Sequence, residues 1–327
     1  MPMTFSSAFR RWLFGLVVMA ALSLASTAHA KQANCSFGIT NLNFGTVDLT
    51  ANTTFDTTAT LTANCTGNNN ATVRVCPNIE TGTGGSSSGD PRFMLSGTNQ
   101  LKYNLYQDSA RTTVWGSVLD AFASSPPTID VPLNAAGSGS TSVTIYGRVW
   151  AAQQTVPPGS YSSAFSGTNT RIAYNYTTSG TCTAIGSTNA TSAAFTASAT
   201  YSATCTVSST AHNFGTAGVL AAARNGSSTL TTTCSATTPY TIALDGGTTG
   251  ATDPTQRKMS KASERITYGL YRDSSRSQAW GSTAGVNTQG GTGSGLAQAY
   301  TVFGQVPTQA TPSPGSYSDT IVATMTY

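Results

Sequence analysis

The chain has 327 residues, 16 lysines and arginines against 12 acidic residues, a formal net charge of +4 and only 9% charged residues. No basic stripe is available to collect phosphates, which argues against nucleic acid as a partner. Thr, Ser, Gly, Ala and Asn dominate instead, the composition of short strands and tight turns rather than of helices.

Residues 1–30 read as a signal peptide. Arg10 and Arg11 form the positive region, Trp12 to Ala25 the apolar run, and Ala28-His29-Ala30 a small-x-small cleavage site, so Lys31 is the expected mature start. A membrane anchor is the alternative, but the run falls short of the ~20 residues that span a bilayer. Cleavage removes Arg10 and Arg11 and leaves a nearly neutral exported chain.

The mature chain repeats itself. YNLYQDSARTTVWG, from Tyr103 to Gly116, answers YGLYRDSSRSQAWG, from Tyr268 to Gly281, without a gap. Such a separation is far longer than the ~20–50 residues of a solenoid unit, so the repeat is a duplicated domain. In chain order, CSFGITNLNFG from Cys35 matches CTVSSTAHNFG from Cys205. LTANC ending at Cys65 matches LTTTC ending at Cys234, YGRV from Tyr146 matches FGQV from Phe303, and PPGSYS from Pro157 matches SPGSYS from Ser313.

The strands follow from alternation. Asn70 to Val75 places Ala71, Val73 and Val75 on one face, and its counterpart Pro239 to Leu244 places Tyr240, Ile242 and Leu244 together. Thr141 to Val149 puts Val143, Ile145, Gly147 and Val149 on one side. Turn-forming runs break the chain at 82–90, 135–140, 245–250 and 285–295. No mature segment has a helical period. The expected fold is all-β: two antiparallel, immunoglobulin-like sandwiches in tandem. Tyr103, Leu105 and Trp115 read as core, and Asp108 and Asp273 as turn caps beside Arg111 and Arg276.

Six cysteines in an exported chain point to disulfides. The repeat makes Cys35 with Cys65 and Cys205 with Cys234 equivalent pairs, each worth about 3–4 kcal/mol if unstrained. Cys76 and Cys182 are left and are expected to pair. Reactive or metal-bound thiols are the alternative, but there is no CxxC and His212 is the sole mature histidine. No metal or cofactor is expected. An enzyme is the rival class, yet the carboxylates are scattered, no triad is discernible, and Asp245-Gly-Gly lacks the context of a phosphate loop.

Taken together, these motifs resemble the spore coat protein U domain of archaic, Csu-type chaperone–usher pili. The matching residues are the Cys and Asn-Phe-Gly pair, Tyr-x-Leu-Tyr-x-Asp, Trp-Gly, Pro-Gly-x-Tyr-x-Asp and a final alternating strand ending in Tyr327. The second copy fits nearly throughout. The first departs at Cys76, at the insertion around Gly84, at Pro126-Pro127 and at Trp150. The resemblance implies a sandwich that lacks its last strand, covered first by a periplasmic chaperone and later by a strand from the neighbouring subunit.

The division expected on that basis is 31–180 for an N-terminal adhesin domain, 181–192 for a linker and 193–327 for a pilin-like domain, with 193–204 as a donor-like strand. Phe195, Ala197, Ala199, Tyr201 and Ala203 share one face of it, and it is expected to complete the first copy within the same chain. A plain first strand of the second copy is the alternative. Lys31 to Asn34, at ~3.3 Å per residue, reach roughly 13 Å, too short to offer a donor strand of ~10 residues. The second copy is expected to accept a strand along Ile321, Ala323, Met325 and Tyr327.

These readings imply a pilus tip subunit exported through the periplasm to the cell surface. Its partners would be a chaperone, an outer-membrane usher, the adjacent pilin and an abiotic or host surface where biofilm forms. Val118, Leu119, Phe122, Ile129, Val131, Trp150 and Val156 are the expected adhesive loop residues. A spore coat or matrix protein that builds no pilus is the alternative.

Overall fold

The computed structural model describes residues 31–87, 91–119, 122–176, 180–185 and 189–327. The signal peptide expected at 1–30 lies outside the described residues. The first copy contributes β1 (Asn34–Ile39), β2 (Leu42–Thr46), β3 (Phe55–Thr66), β4 (Thr72–Pro77), β5 (Arg92–Ser96), β6 (Asn99–Tyr106), β7 (Ile129–Pro132), β8 (Ser138–Val149), β9 (Gly159–Phe165) and β10 (Arg171–Tyr176). A one-turn helix, Cys182–Ile185, precedes β11 (Thr191–Ser192) and β12 (Phe195–Tyr201). One sheet runs β1-β3-β8-β6-β5-β9-β12-β2 and faces a second, β11-β10-β4-β7.

The second copy contributes β13 (Cys205–Ser209), β14 (Arg224–Cys234), β15 (Pro239–Leu244), β16 (Arg257–Lys261), β17 (Glu264–Tyr271), β18 (Gln289–Thr292), β19 (Ala297–Val306) and β20 (Ala323–Thr326). Its sheets run β13-β14-β19-β17-β16 and β18-β15-β20. The chain is thus all-β, in two sandwiches. Each has its own apolar core, one built from residues between Ala33 and Tyr201, the other from residues between Cys205 and Met325.

The duplication is visible atom by atom. Asp108 accepts from the backbone of Thr112 and Thr113, and Asp273 from that of Ser277 and Gln278. These turns hold Arg111 and Arg276 in the left-handed region, at φ 58° and 59°. Beyond each turn a tryptophan is buried. The Trp115 indole donates to Pro77 O at 2.8 Å, and that of Trp280 to Ile242 O at 3.0 Å. A buried indole needs such a partner.

The cysteines pair as Cys35–Cys65, Cys76–Cys182 and Cys205–Cys234. The first joins β1 to β3 and the third β13 to β14, each between directly paired residues. The second, with no counterpart, ties the one-turn helix to β4. That helix escapes a periodicity search because one turn has no period to show.

Candidate strand-acceptor cleft

The two sandwiches differ most along one groove. In the first, β12 fills it. It pairs antiparallel with β9 from Phe195↔Phe165 to Tyr201↔Gly159, and parallel with β2 at Ala197↔Leu42 and Ser198↔Asn43. Phe195, Ala197, Ala199 and Tyr201 point inward and are at most 4% exposed. The Phe195 ring stacks on Phe165, with centroids 4.4 Å apart and planes 5° from parallel. Ala203 departs from the expected face: it follows the end of the strand and is exposed. The alternation carries on in sequence there, but Ser202 to Thr204 have no strand to pair with.

In the second sandwich the corresponding groove is empty. The counterpart of β2, residues 212–216, is not in a strand. The counterpart of β9, residues 315–321, makes only an isolated bridge, Ser260↔Ser318. Between these two walls lie adjoining hollows of about 390 and 590 Å³. Both are lined by His212, Phe214, Met259 and Tyr317. Ile321 closes one end, and Leu220 and Val306 the other. Met94 and Leu101 of the first core are fully buried, whereas their counterparts Met259 and Ile266 are only partly so. Apolar floor that is covered in one copy is uncovered in the other.

The segment expected to accept a strand includes β20, an edge strand of its three-stranded sheet. β20 pairs with β15, through Ile242↔Met325, in the sheet opposite the groove wall. Ile321 and Ala323 line the hollow, but Met325 packs against Cys234 and Tyr327 is 58% exposed beyond the strand. Residues 317–321 line the groove just ahead of β20.

The groove also holds polar groups that sequence reasoning left aside. The Tyr268 hydroxyl donates to Asp319 Oδ2 at 2.7 Å, and the backbone and hydroxyl of Thr248 donate to Asp319 Oδ1. Burial works against ionisation of Asp319, yet the hydrogen bonds from Thr248 and Tyr268 outweigh it and hold the carboxyl below its usual range. Burial, with the bond to Asp319, pushes the Tyr268 phenol well up. His212 Nδ1 lies 3.0 Å from Ser228 Oγ, and burial lowers the imidazole pKa. At the mouth, Glu264 accepts from Ser313 and Tyr317. These bonds hold its carboxyl down at about 2.

Two buried arginines were also missed. Arg92 donates to Ile79 O, Glu80 O and Trp115 O beneath the Phe122 ring, and Arg257 to Leu244 O, Asp245 O and Trp280 O. PRFM and QRKM share the offset of the tyrosine block, the one signal that could have found them.

The expected adhesive residues do not form an exposed patch. Phe122, Ile129 and Val131 are buried, at 5%, 6% and 0% exposure, and Val118, Leu119, Trp150 and Val156 are half-buried. Ile129 and Val131 belong to β7, which pairs with β4, and Phe122 covers Arg92. Among the described residues, the large exposed apolar side chains, Val207, Val219, Val286, Leu296, Val322 and Tyr327, all lie in the second copy.

The fold and the duplicated motifs define a tandem of disulfide-bonded β-sandwich domains. The Spore Coat Protein U domain model matches residues 20–168 and 191–324, and the chain belongs to that family. It is 35% identical over 81 residues to Protein U of Myxococcus xanthus, a stretch covering 25% of this chain and 45% of that protein. Its fold is similar to that in the CsuC–CsuE chaperone–tip adhesion subunit pre-assembly complex from the archaic chaperone–usher Csu pili of Acinetobacter baumannii. There the TM-score is 0.50 and identity 15%, over 90% of this chain and 100% of the other. The CupB6 tip adhesin of Pseudomonas aeruginosa matches at TM-score 0.38 and 12% identity, over 90% and 94% of the two chains.

Proposed function

We propose that this protein is the two-domain tip subunit of an archaic chaperone–usher pilus, with the first domain outward and the second joined to the next pilin. The carrying observation is the contrast between the grooves: filled by β12 in the first domain, open in the second. Strand addition to an open edge gives affinity through the backbone ladder and specificity through pockets for alternate side chains. The second domain therefore accepts a strand from a neighbouring subunit, and before assembly a periplasmic chaperone shields the same groove from aggregation.

The first domain serves as the attachment module at the cell surface and in biofilm formation. The segment ahead of Cys205, where a donor strand would lie, is consumed inside the chain. Ahead of Cys35, Lys31 is tied to Asn68 and Tyr176, at 2.8 Å each. Both observations support a terminal place in the fibre. The similarity in fold to a tip subunit solved with its chaperone supports the same reading.

The test is hydrogen exchange on the chain spanning 31–327, with and without a synthetic strand from the adjacent pilin. Protection is expected to rise at 210–214 and 316–321. Protection rising only in the first domain, or nowhere, overturns the assignment.

A further inference from the structure

The duplication supplies a control for the space beside each buried tryptophan. Two residues before the carbonyl partner of each indole stands Val75 in the first copy and Tyr240 in the second. Val75 pairs with Ile129, and Tyr240 with Gly291. On the facing sheet, Leu61 pairs with Val143, and its counterpart Leu230 with Tyr300. The second copy fills this region with two phenols. Their hydroxyls lie 2.7 Å apart, and the Tyr300 ring meets Trp280 edge-on with centroids 6.5 Å apart. Gly291 makes room for both, since a Cβ there would come within 2.5 and 2.6 Å of the two hydroxyl oxygens. In the first copy Val143 ends at its methyl groups, and a hollow of about 410 Å³ lies between it, Ile129 and Trp115.

The polar lining of that hollow is of one kind. Its side-chain N–H groups are already spent: Gln107 Nε2 donates to Val114 O and Ser125 O, and the Trp115 indole to Pro77 O. Gln107 Oε1 is left as an acceptor. The Thr144 and Tyr146 hydroxyls bond to nothing among the described residues. The Asp130 carboxylate also lines the hollow and is matched by Arg74, which donates to both of its oxygens at 2.8 Å. The pair brings no net charge, and each carboxylate oxygen keeps a lone-pair position. Acceptors and hydroxyls without a spare side-chain N–H do not suit a carboxylate or phosphate. They suit a neutral ligand that brings its own hydroxyl donors. The large apolar side chains exposed among the described residues all lie in the other domain, so an apolar ligand has no such patch to meet here.

We propose that this hollow binds one pyranose ring of a neutral glycan. The sugar hydroxyls donate to Gln107 Oε1 and Asp130 and exchange bonds with Thr144 and Tyr146, while the ring lies against Val143 and Ile129. A six-membered ring bearing a hydroxyl is what the second copy itself places beside the matching tryptophan. As a role in attachment this rests on the reading of the first domain given above; the binding itself does not.

The experiment is saturation-transfer NMR on the chain spanning 31–327 with the methyl glycosides of glucose, galactose, mannose and N-acetylglucosamine, and with methyl glucuronide as the anionic comparison. At least one neutral glycoside is expected to bind with a Kd of about 1–10 mM, ordinary for a ligand of this size, and the glucuronide about tenfold more weakly. V143Y, which supplies the ring that the second domain carries there, should weaken binding by about tenfold or more. T144V removes one exposed hydroxyl without changing the shape of the side chain and should cost roughly threefold. If V143Y lowers the melting midpoint of the first domain, T144V decides alone. Absence of binding by all four glycosides overturns the inference, as does binding unchanged in the deciding variant. Equal binding of the glucuronide overturns the choice of a neutral ligand. These outcomes are read in the first domain, whereas strand docking is read by hydrogen exchange in the second, so either conclusion can fail while the other stands.

Discussion

Replacing Phe195 by alanine tests whether β12 belongs energetically to the first domain. The side chain is 4% exposed and stacked on Phe165 at 4.4 Å. Truncating a buried phenylalanine costs about 3–5 kcal/mol, the lost stacking included. For a domain of this size each kcal/mol lowers the midpoint by roughly 2–4 °C, so a drop of about 10 °C is expected. Thr200, which points outward on the same strand, serves as the control, and T200A should stay within about 0.5 kcal/mol. Hydrogen exchange read by mass spectrometry assigns the loss to a domain: F195A should deprotect β6 and spare β17. Loss of protection in β17 with β6 unchanged would refute the reasoning, because β12 would then support the second sandwich.

Other perturbations separate the domains in the same way. R92M leaves three buried carbonyls unpaired, and R257M does likewise in the second domain. Each should lower its own calorimetric transition by about 3 kcal/mol or more and leave the other in place. Removing Cys76 and Cys182 together, in C76A/C182A, opens a loop with a separation of 106 residues. It should cost the first domain up to about 4 kcal/mol in chemical denaturation, with no change in the second. The Glu264 carboxyl is held at about 2 in the fold against an ordinary 4.5. Its contribution is present above pH ~4.5 and is lost as pH falls towards 2, so E264Q should flatten acid melting of the second domain in that window. His212 is held below its ordinary 6.5 by burial. Stability should therefore fall as pH drops below that value, and H212L should remove the slope in a pH series of thermal melts.

Where one face is buried and the other wet, the sequence announces the structure. Pro239 to Leu244 alternates and is a strand over those same residues. The repeat located two of the three disulfides, since a duplicated cysteine pair closes the same loop twice, and the third, Cys76–Cys182, followed as the pair left over. Loops were harder to read. Leu119 and Phe122 read as apolar loop residues available for contact, but Phe122 is the cover of a buried guanidinium. Nothing in local composition reveals a cation lying underneath. Ile129 and Val131 belong to a four-residue strand, too short for alternation to stand out.

The groove shows why the repeat alone could not say where the second domain is open. PGSYSS and PGSYSD are nearly the same segment, yet one is β9 and the other is irregular. The difference lies in the partner: a strand is a paired state, and β12 supplies the pairing to the first copy only. An unpaired wall should collapse onto its own apolar floor, and the second copy has groups that oppose this. Lys261 donates to Ser313 and Pro314 O, and Glu264 accepts from Ser313 and Tyr317. Their counterparts in the filled copy are Ser96, Asn99 and Pro157, which carry no such charges. The charged latch thus appears where the strand is missing. It holds residues 313–317 against the β16–β17 hairpin, which opposes their collapse onto the apolar floor.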